Sequence, residues 1–517
     1  MKSKLNFVWL FGTINSLIIV ILGNIIFSFI HPQLDLTKNK IHSLSPITKK
    51  IVSQLDDVVE IKAFVSEQLP LQLSSLKDNL LLFLNNYQNL SGHKIKVTVL
   101  DPNKNEQAKQ EANRIGLGPI QFSTIENDKF QVSQGYFAVA IAYQDKSEVI
   151  PTLENFANLE YYLTSTIKKV TSEKLKTIAF AAGHQENSPS QLEIATKIIS
   201  QSYQWQIVDL GDKNATFNKN IDLLIINNPK EKFLERSKLV LDQIIQSGKG
   251  VILLIDKINV DNSLIPNKSD NNLNDLLTYY GFKIKDSLIL DPSAVIASFR
   301  DQTGNSFITA YPFWVKILQN RINKEFTPLA GINTLIFNWV SPIELEKNAI
   351  WLVKTTPYSW EEKNPILLPN RDFGKEKIEN QGEKIIVGFQ NQKMASFFAD
   401  KNPNNLIKQI GEDGLISNQN QLKMVVVSDA DFINDESISN NQENLVFFMN
   451  LVDFLTQEED LNQIRSKTLA LYPINIPQDK QKQLIKIINL TAPLFVSFIA
   501  YFLVFLIRKK IILQEKF

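Results

Sequence analysis

The chain has 517 residues, far more than the roughly 150 of one compact domain, so at least two hydrophobic cores are expected. Lysine and arginine number 55 and aspartate and glutamate 54, which leaves a formal charge of +1 and no global field to attract nucleic acid. The chain has no cysteine, which excludes disulfides, cysteine-ligated zinc, iron–sulfur clusters and thiol chemistry.

Two uncharged stretches near the chain ends are typical of transmembrane helices. Residues 5–30 carry no charged side chain, and residues 490–507 form a second stretch that extends back to 485 if Lys486 snorkels. A cleaved signal peptide is the alternative for the first stretch, but its apolar part exceeds the usual length of about 7–15 residues and no small-x-small cleavage site follows it. We therefore expect uncleaved transmembrane helices at 5–30 and 485–507.

Basic residues beside these stretches predict the topology. Lys2 and Lys4 precede the first stretch, and residues 508–510, Arg-Lys-Lys, follow the second. Because basic residues flank spans on the cytoplasmic side, we expect a two-pass protein of the cell (inner) membrane with both termini in the cytoplasm. The bulk of the chain would then be extracytoplasmic, and two spans are too few for a permease.

The region 56–172 has the element order of a thioredoxin-like domain. Strands and helices are predicted, in the order βαβ, helix, ββ, helix, at 58–65, 71–90, 94–100, 105–115, 119–125, 137–143 and 153–170. Gly118-Pro119 falls where that fold carries a cis-proline, and without cysteine the domain would be a redox-inert scaffold. Six side chains are predicted to be buried: Ile61, Phe64, Val97, Val99, Phe137 and Val139. Upstream, in the membrane-proximal segment 35–55, Ser45 is expected to cap a helix that begins at Pro46.

The region 175–465 predicts a doubly wound parallel sheet, which makes the whole chain α/β. Strand patterns recur at 176–182, 205–210, 221–226, 250–255, 384–389 and 423–427. Helical patterns lie between them at 189–202 and 232–247, and a further one follows at 444–456, as expected when helices cover both faces of a sheet. The proline-rich stretch 292–380 is interpreted as an irregular insertion.

Four segments of the chain, in order, resemble the GldG-type auxiliary components of ABC transporters linked to gliding motility. They are DLTKNKIHSLSP at 35–46, AGHQE at 182–186, VVVSDADF at 425–432, and NLVFFMNLVDF at 444–454 leading into EEDLNQIR at 458–465. Gln185 and Phe454 depart from the family pattern, which often has Gly and Trp there. The resemblance implies a membrane-anchored accessory protein with an extracytoplasmic α/β region, working beside a separate permease and ATPase.

The residues themselves agree with a separate ATPase. No Gly-x-x-x-x-Gly-Lys-Ser/Thr segment occurs, so the backbone loop that cradles nucleotide phosphates is absent from the sequence. Gly-x-Ser-x-Gly and His-Glu-x-x-His are absent as well, which removes the usual signals of a serine hydrolase and a zinc protease. No cofactor is predicted.

Four polar residues form the candidate ligand-binding site. His184 and Glu186 follow one predicted strand, Asp429 and Asp431 follow another, and ligands of open parallel sheets collect at the carboxyl ends of strands. One imidazole and three carboxylates suit a divalent cation or a polar, glycan-like ligand, and the identity of any metal stays open. Alternatively, His184 caps a helix or orders a loop and the aspartates form Asx-turns.

The sequence is compatible with two functions from different classes. The first is a noncatalytic accessory subunit that docks on a permease through its spans, contacts the lipid bilayer, and presents a binding surface to an envelope glycan. The second is a membrane-anchored hydrolase or glycan-binding protein acting on an envelope polymer, with Glu186 and Asp429 as acid and base. The hydrolase requires those carboxylates within roughly 9.5 Å of each other.

Overall fold

The computed structural model describes most of the chain between residues 43 and 457. The described residues are 22, 43–67, 69, 71–126, 129–151, 159–212, 220–261, 263–300, 304–329, 331–373, 381–401, 415–457, 486–489, 491 and 502. They belong to two compact units, residues 1–470 and 471–517, and the first holds all the elements below. Nowhere in these ranges is there a helix with the length and apolar character that a membrane crossing needs. The transmembrane helices predicted at 5–30 and 485–507 lie almost wholly outside the described residues.

The described residues from 43 to 171 form four helices and six strands. In chain order they are α1 (Pro46–Ser53), β1 (Val59–Val65), α2 (Leu71–Leu90), β2 (Ile95–Leu100), α3 (Glu106–Arg114), β3 (Ile120–Glu126), β4 (Lys129–Gly135), β5 (Phe137–Tyr143), β6 (Lys146–Ile150) and α4 (Leu159–Thr171). Four strands form one sheet in the order β2-β1-β5-β6. β1 runs parallel to β2 and antiparallel to β5.

The core of this small sheet lies mainly on the face covered by α2 and α4. Ile61 of β1 and Val139 of β5 are both fully buried in this core. Phe64, on the opposite face, packs with Ala112 of α3. Of the six side chains predicted to be buried, Val97 is only half-buried and Val99 is 49% exposed. The prediction for Val99 is wrong because β2 is the edge strand.

The helix α1 begins as the sequence predicted. The Ser45 side chain accepts a hydrogen bond from the Thr48 backbone N–H at 3.1 Å, and Pro46 occupies the first turn. The buried Glu160 of α4 then holds this turn, since its carboxylate accepts from the Ser45 N–H at 2.5 Å and from the Thr48 hydroxyl at 2.7 Å. The first turn of α1 is therefore bonded to α4 through the Glu160 carboxylate and through Thr164, whose hydroxyl lies 3.1 Å from that of Thr48.

The strand predicted at 119–125 does not join the small sheet. It is β3, which pairs with β4 in a separate two-stranded hairpin. The two neighbours of β5 in the small sheet are β1 and β6. The described residues contain no cis peptide bond, so the cis-proline expected at Gly118-Pro119 is not present. The pattern of β-branched and aromatic residues identifies a strand but not its partner.

The C-terminal part of the first unit holds the larger sheet. Its helices are α5 (Glu193–Ser200), α6 (Glu235–Gln246), α7 (Asn274–Tyr279), α8 (Asp435–Asn440) and α9 (Gln442–Leu455). Its strands are β7 (Thr177–Ala182), β8 (Gln204–Asp209), β9 (Leu223–Asn227), β10 (Gly250–Leu254), β11 (Ile258–Val260), β12 (Pro266–Lys268), β13 (Phe282–Ile284), β14 (Leu288–Leu290), β15 (Ala294–Arg300), β16 (Ser306–Leu318), β17 (Thr334–Asn338), β18 (Ile343–Leu345), β19 (Ile350–Lys354), β20 (Trp360–Glu362), β21 (Ile385–Gln390) and β22 (Lys423–Val427).

The large sheet is mixed rather than wholly parallel, which corrects the prediction. Its order is β13-β18-β21-β22-β10-β9-β7-β8, and β19 pairs with β21 off that path. The five strands from β22 to β8 are parallel, whereas β21 runs antiparallel to β22 and begins an antiparallel flank. The predicted strand at 384–389 was correct in position, but a strand pattern does not encode direction.

Both faces of β7, β9, β10 and β22 are buried, as expected for a sheet between two helical layers, whereas the edge strand β8 is largely exposed. On one face Ile225 and Val425 pack in a core with α5 and α9, and on the other Leu224 and Val426 pack in a core with α6 and α7. These strands therefore lack the polar alternation of a half-exposed sheet. Their polar groups are concentrated at the strand ends.

The stretch 292–380 is not irregular, which is a second correction. It contributes the three-stranded antiparallel sheet β15-β16-β17, the strand β20 that pairs with β14, and the strands β18 and β19 of the large sheet. β16 alternates as a strand should, with Tyr311, Phe313 and Val315 buried, but Pro312 lies within it. A proline inside a run demotes a strand prediction, and that rule misled here.

The small sheet provides a direct stability test. We expect Ile61→Ala to lower the free energy of unfolding by about 2–5 kcal/mol, because it leaves a cavity in a fully buried position. The matched change Val99→Ala, on the exposed face of the edge strand, should cost under about 0.5 kcal/mol. Urea denaturation of the two variants measures both, and equal losses would contradict this core.

Candidate functional site

Four parallel strands of the large sheet end at one edge. β7 ends at Ala182, β9 at Asn227, β10 at Leu254 and β22 at Val427, and the register aligns Asn227, Leu254 and Val427 side by side. The loops after these strands therefore emerge together, at the position where open α/β sheets place their ligands. We call this the carboxyl edge.

The first candidate pair, His184 and Glu186, forms a closed local unit after β7. Glu186 accepts a hydrogen bond from the His184 backbone N–H at 2.7 Å and lies 3.3 Å from Nδ1 of the ring. Both side chains are only 3% exposed, and the imidazole stacks on Phe233 with centroids 3.7 Å apart. Glu186 therefore contacts the Nδ1 side of the His184 ring within the same loop, whereas Nε2 has no hydrogen-bond partner.

A close backbone approach fixes this loop. Gly183 has φ +107°, and a Cβ placed on it would overlap the Asp209 carboxylate and the backbone of Gly211. The loops after β7 and β8 can contact each other only because neither glycine has a side chain. Gly183 thus sets the position from which His184 enters the edge.

The second candidate pair belongs to a cluster of three aspartates. Asp429 is fully buried; one carboxylate oxygen accepts from the backbone N–H groups of Asp431 and Phe432, and the other accepts from the Asn338 N–H at 2.7 Å. The Asp431 side chain is half-buried. The third member, Asp256, follows β10 and accepts from the Ala430 N–H at 2.7 Å. Sequence reasoning missed Asp256, although the strand-end rule that selected Asp429 applies equally to it.

Two asparagines at the end of β9 lie between the candidate pairs. Asn228, at φ +52°, donates from Nδ2 to Asp256 at 2.6 Å and to the Asn259 side chain at 2.9 Å. The backbone carbonyl of Asn227 accepts from the Asn187 N–H at 2.8 Å, while Lys230 Nζ donates to the Asn187 side chain at 3.0 Å. The β9 loop therefore contacts the β7 loop on one side and the aspartate cluster on the other.

The four predicted residues share an edge but do not form one compact cluster. β9 and β10 separate β7 from β22, so the strand axes that lead to His184 and Asp429 are about 14 Å apart. The strands that carry the two candidate pairs are therefore not neighbours in the sheet. Within the described ranges, no group of three or more His, Cys, Asp or Glu side chains has a geometry that could hold a metal ion.

A model of the family described as "ABC-type uncharacterized transport system" matches residues 175–458, more than half of the chain. The chain belongs to this family. The match begins just before β7 and ends just after α9, so it covers the large sheet and its carboxyl edge. A second model, a domain of unknown function, matches residues 38–142, which span α1 to β5. Family membership makes the chain an auxiliary component of an ABC-type transport system. Such a component associates with the permease and ATPase components of the system.

Individual relatives add little chemistry to the family assignment. An uncharacterized protein of Borreliella burgdorferi is 25% identical over 453 residues, covering 84% of each chain. Among solved structures, the mmIFT52 N-terminal domain covers 54% of this chain and 97% of its own at 15% identity and a TM-score of 0.36. PurLQS of Thermotoga maritima covers 55% and 100% at 8% identity and a TM-score of 0.27. Both scores are too low to assign a fold.

At the carboxyl edge, the pKa of one acidic residue is lowered and the pKa values of two others are raised. Burial would raise the pKa of Glu186, but the hydrogen bonds from His184 outweigh it and the pKa is lowered. Burial raises the pKa of Asp429, and the nearby charges of Asp256 and Asp431 raise it further. Burial also raises the pKa of Asp431, against the opposing effect of Lys230. Buried carboxyl groups that lie close together ionise less readily, because their negative charges repel one another. A carboxylate that accepts two hydrogen bonds ionises more readily, because the bonds stabilise its charge.

These directions predict opposite pH dependences for two amide variants. Glu186→Gln should destabilise the protein by about 2 kcal/mol at pH 7, since it removes hydrogen bonds to a buried charge. The loss should fade below about pH 4, where the wild-type carboxylate also becomes protonated. Asp431→Asn should instead stabilise the protein at pH 7, and its advantage should disappear as the pH falls to about 4.

Thermal unfolding of wild type and both variants between pH 3 and pH 8 measures these differences. The account of the site is contradicted if Glu186→Gln stabilises the protein at pH 7, or if both variants show the same sign.

Proposed function

We propose that this chain is a noncatalytic, GldG-type accessory subunit of an ABC-type transport system, anchored in the cell (inner) membrane by helices at 5–30 and 485–507. Its large α/β region faces away from the cytoplasm and presents the carboxyl edge to a ligand or partner. The observation that carries this proposal is the family match over residues 175–458, which coincides with the large sheet and its carboxyl edge.

The proposed anchoring is supported by the sequence at both ends of the chain. Each proposed helix contains an uncharged stretch, 5–30 in the first and 490–507 in the second, whose length falls within the range of membrane-spanning helices. Lysines and arginines stand on the outer sides of both stretches, which favours cytoplasmic termini. The membrane-proximal helix α1, fastened to Glu160, would transmit the position of the first anchor to the folded region.

We propose that the small sheet is a redox-inert, thioredoxin-like scaffold. In support, α2 follows β1 and precedes the parallel strand β2, β5 pairs antiparallel with β1, and α4 follows β6. The inserted hairpin β3-β4 departs from that fold. Because the sequence has no cysteine, the domain would serve by shape and contacts rather than by disulfide exchange.

No observation favours the hydrolase that the sequence left open. An inverting or retaining pair needs its carboxyl groups within roughly 9.5 Å. Glu186 and Asp429 follow strands whose axes are about 14 Å apart. Glu186 is engaged by His184, and both oxygens of Asp429 accept backbone hydrogen bonds, so neither is poised to exchange a proton with a substrate.

The accessory role predicts a defined complex. Affinity-tagged full-length protein, extracted from its native cells in a mild detergent, should copurify with a polytopic permease and a separate ATPase, both identified by mass spectrometry. A matched bait in which a polyleucine span of equal length replaces residues 485–507 should stay in the membrane and lose the permease, because docking is proposed to use the spans. A wild-type preparation without permease and ATPase would contradict the role.

The proposed topology gives an independent prediction. A reporter enzyme that is active only outside the cytoplasm should be active when inserted beside Asp212 and inactive when fused after Phe517. The reason is that the basic residues at both ends hold the termini in the cytoplasm. The reverse pattern of activity would show that the orientation is wrong.

A further inference from the structure

Unpartnered buried polar atoms are concentrated at the carboxyl edge. Asn227 is 2% exposed, and neither its Oδ1 nor its Nδ2 has a hydrogen-bond partner. Asn228 is 4% exposed and its Oδ1 is likewise unpartnered, although its Nδ2 binds Asp256. The carboxamide of Asn228 therefore lies against the aspartate cluster and keeps an acceptor unused. Native proteins rarely leave such atoms unsatisfied, so each calls for an explanation.

Most of these unpartnered atoms accept rather than donate. The Oδ1 atoms of Asn227 and Asn228 can only accept. The Oδ1 atom of Asn338, whose backbone N–H binds Asp429, is also buried and unpartnered. Three acceptors therefore stand against one donor, Asn227 Nδ2, among the unpartnered atoms of these three asparagines. A ligand rich in hydrogen-bond donors complements this set.

The charges of the edge point in the same direction. Asp256 and Asp431 interact electrostatically, and Asp429 interacts with both of them. Glu436 adds a further negative charge near Asp431, while Lys230 is the cation that acts on Asp256 and Asp431. Four carboxyl groups and one lysine thus act on one another here, and a positively charged ligand would favour ionisation of the carboxyl groups, whereas an anion would oppose it. Because the described side chains lack a metal-binding geometry, an organic cation fits better than a metal ion.

We propose that the carboxyl edge binds a small organic cation, whose primary ammonium group donates hydrogen bonds to Asn227 and Asn228 and is neutralised by Asp431. An ammonium carries three donors and no acceptor, which matches two carboxamide oxygens and one carboxylate. Asp431 is the half-buried member of the aspartate cluster, so it would be the first of the three to contact the ammonium group. The inference deepens the proposed function, on which it rests, by naming the class of molecule that the accessory subunit recognises.

Two exposed contacts bridge the loops beside this site. Gln185 donates to the Glu231 carboxylate at 2.6 Å, and Lys230 donates to Asn187 at 3.0 Å, so both contacts join the β7 loop to the β9 loop. They lie on the surface side of side chains that are themselves buried. Separation of these two loops is the route by which a small cation would reach Asn227.

The test is calorimetric titration of full-length protein in a neutral detergent with putrescine and with 1,4-butanediol. The two probes have the same length, but only putrescine carries ammonium groups. We expect putrescine to bind at pH 7.5 and butanediol to bind at least tenfold more weakly. Asp431→Asn should weaken putrescine binding at least tenfold, whereas the remote carboxylate-to-amide control Glu60→Gln, in the small sheet, should leave it unchanged.

A second variant separates a lost site from a lost fold. Asn227→Leu removes only unpartnered polar atoms, so it should abolish putrescine binding without lowering the unfolding temperature. The proposal is overturned if neither probe binds, if both bind equally, or if Asp431→Asn binds putrescine as wild type does. Binding of N-acetylglucosamine or Mg²⁺ in competition with putrescine would also overturn it, in favour of a glycan or a metal site. Copurification with the permease and ATPase is unaffected by any of these outcomes, so the accessory role is tested separately.

Discussion

The arrangement of the large sheet depends on the common register of β9, β10 and β22. Leu223, Gly250 and Lys423 are aligned at the beginning of these strands, and equal lengths bring Asn227, Leu254 and Val427 into line at the end. Gly250 permits this alignment, because a Cβ there would come within 2.8 Å of the Leu223 side chain and 2.9 Å of Leu455 Cβ. A one-residue slip of any strand would move its buried side chains to the opposite face.

With the register fixed, polar side chains of this region are largely confined to the ends of the strands. Alternate residues of β9, β10 and β22 enter one of two apolar cores, so the hydrophilic residues of this region gather where these strands end. There the backbone N–H groups of Ala430, Asp431 and Phe432 supply hydrogen bonds that hold Asp256 and Asp429 despite their burial. Burial without enough partners is costly, and the raised pKa values of these aspartates express that cost.

The sequence was informative where side-chain pattern alone decides the structure. The strand at 423–427, the cap at Ser45 and the clustering of polar residues at strand ends all follow from local chemistry, and the structure contains each of them. Strand direction and strand partners were not predictable in the same way. β21 has the apolar pattern of a parallel strand yet runs antiparallel, and β3 has the pattern of a sheet strand yet forms a separate hairpin.

The candidate site was predicted in part for the same reason. His184, Glu186, Asp429 and Asp431 do follow strands of one sheet, but their separation depends on β9 and β10 lying between them. That order is set by tertiary packing, and it also brings in Asp256, Asn227 and Asn228. Asparagines at a strand end are typical of turns, so composition gave no signal that these two would be buried with unused hydrogen-bonding atoms.

The central claim is that the loops after β9 and β10 form one coupled polar site, and a double-mutant cycle on Asn228 and Asp256 tests it most directly. The free energies of unfolding of Asn228→Ala, Asp256→Ala and the double variant give the coupling between the two side chains. The 2.6 Å hydrogen bond predicts a coupling of about 0.5–1.5 kcal/mol, the range for a typical intramolecular hydrogen bond. A coupling of zero would contradict the site.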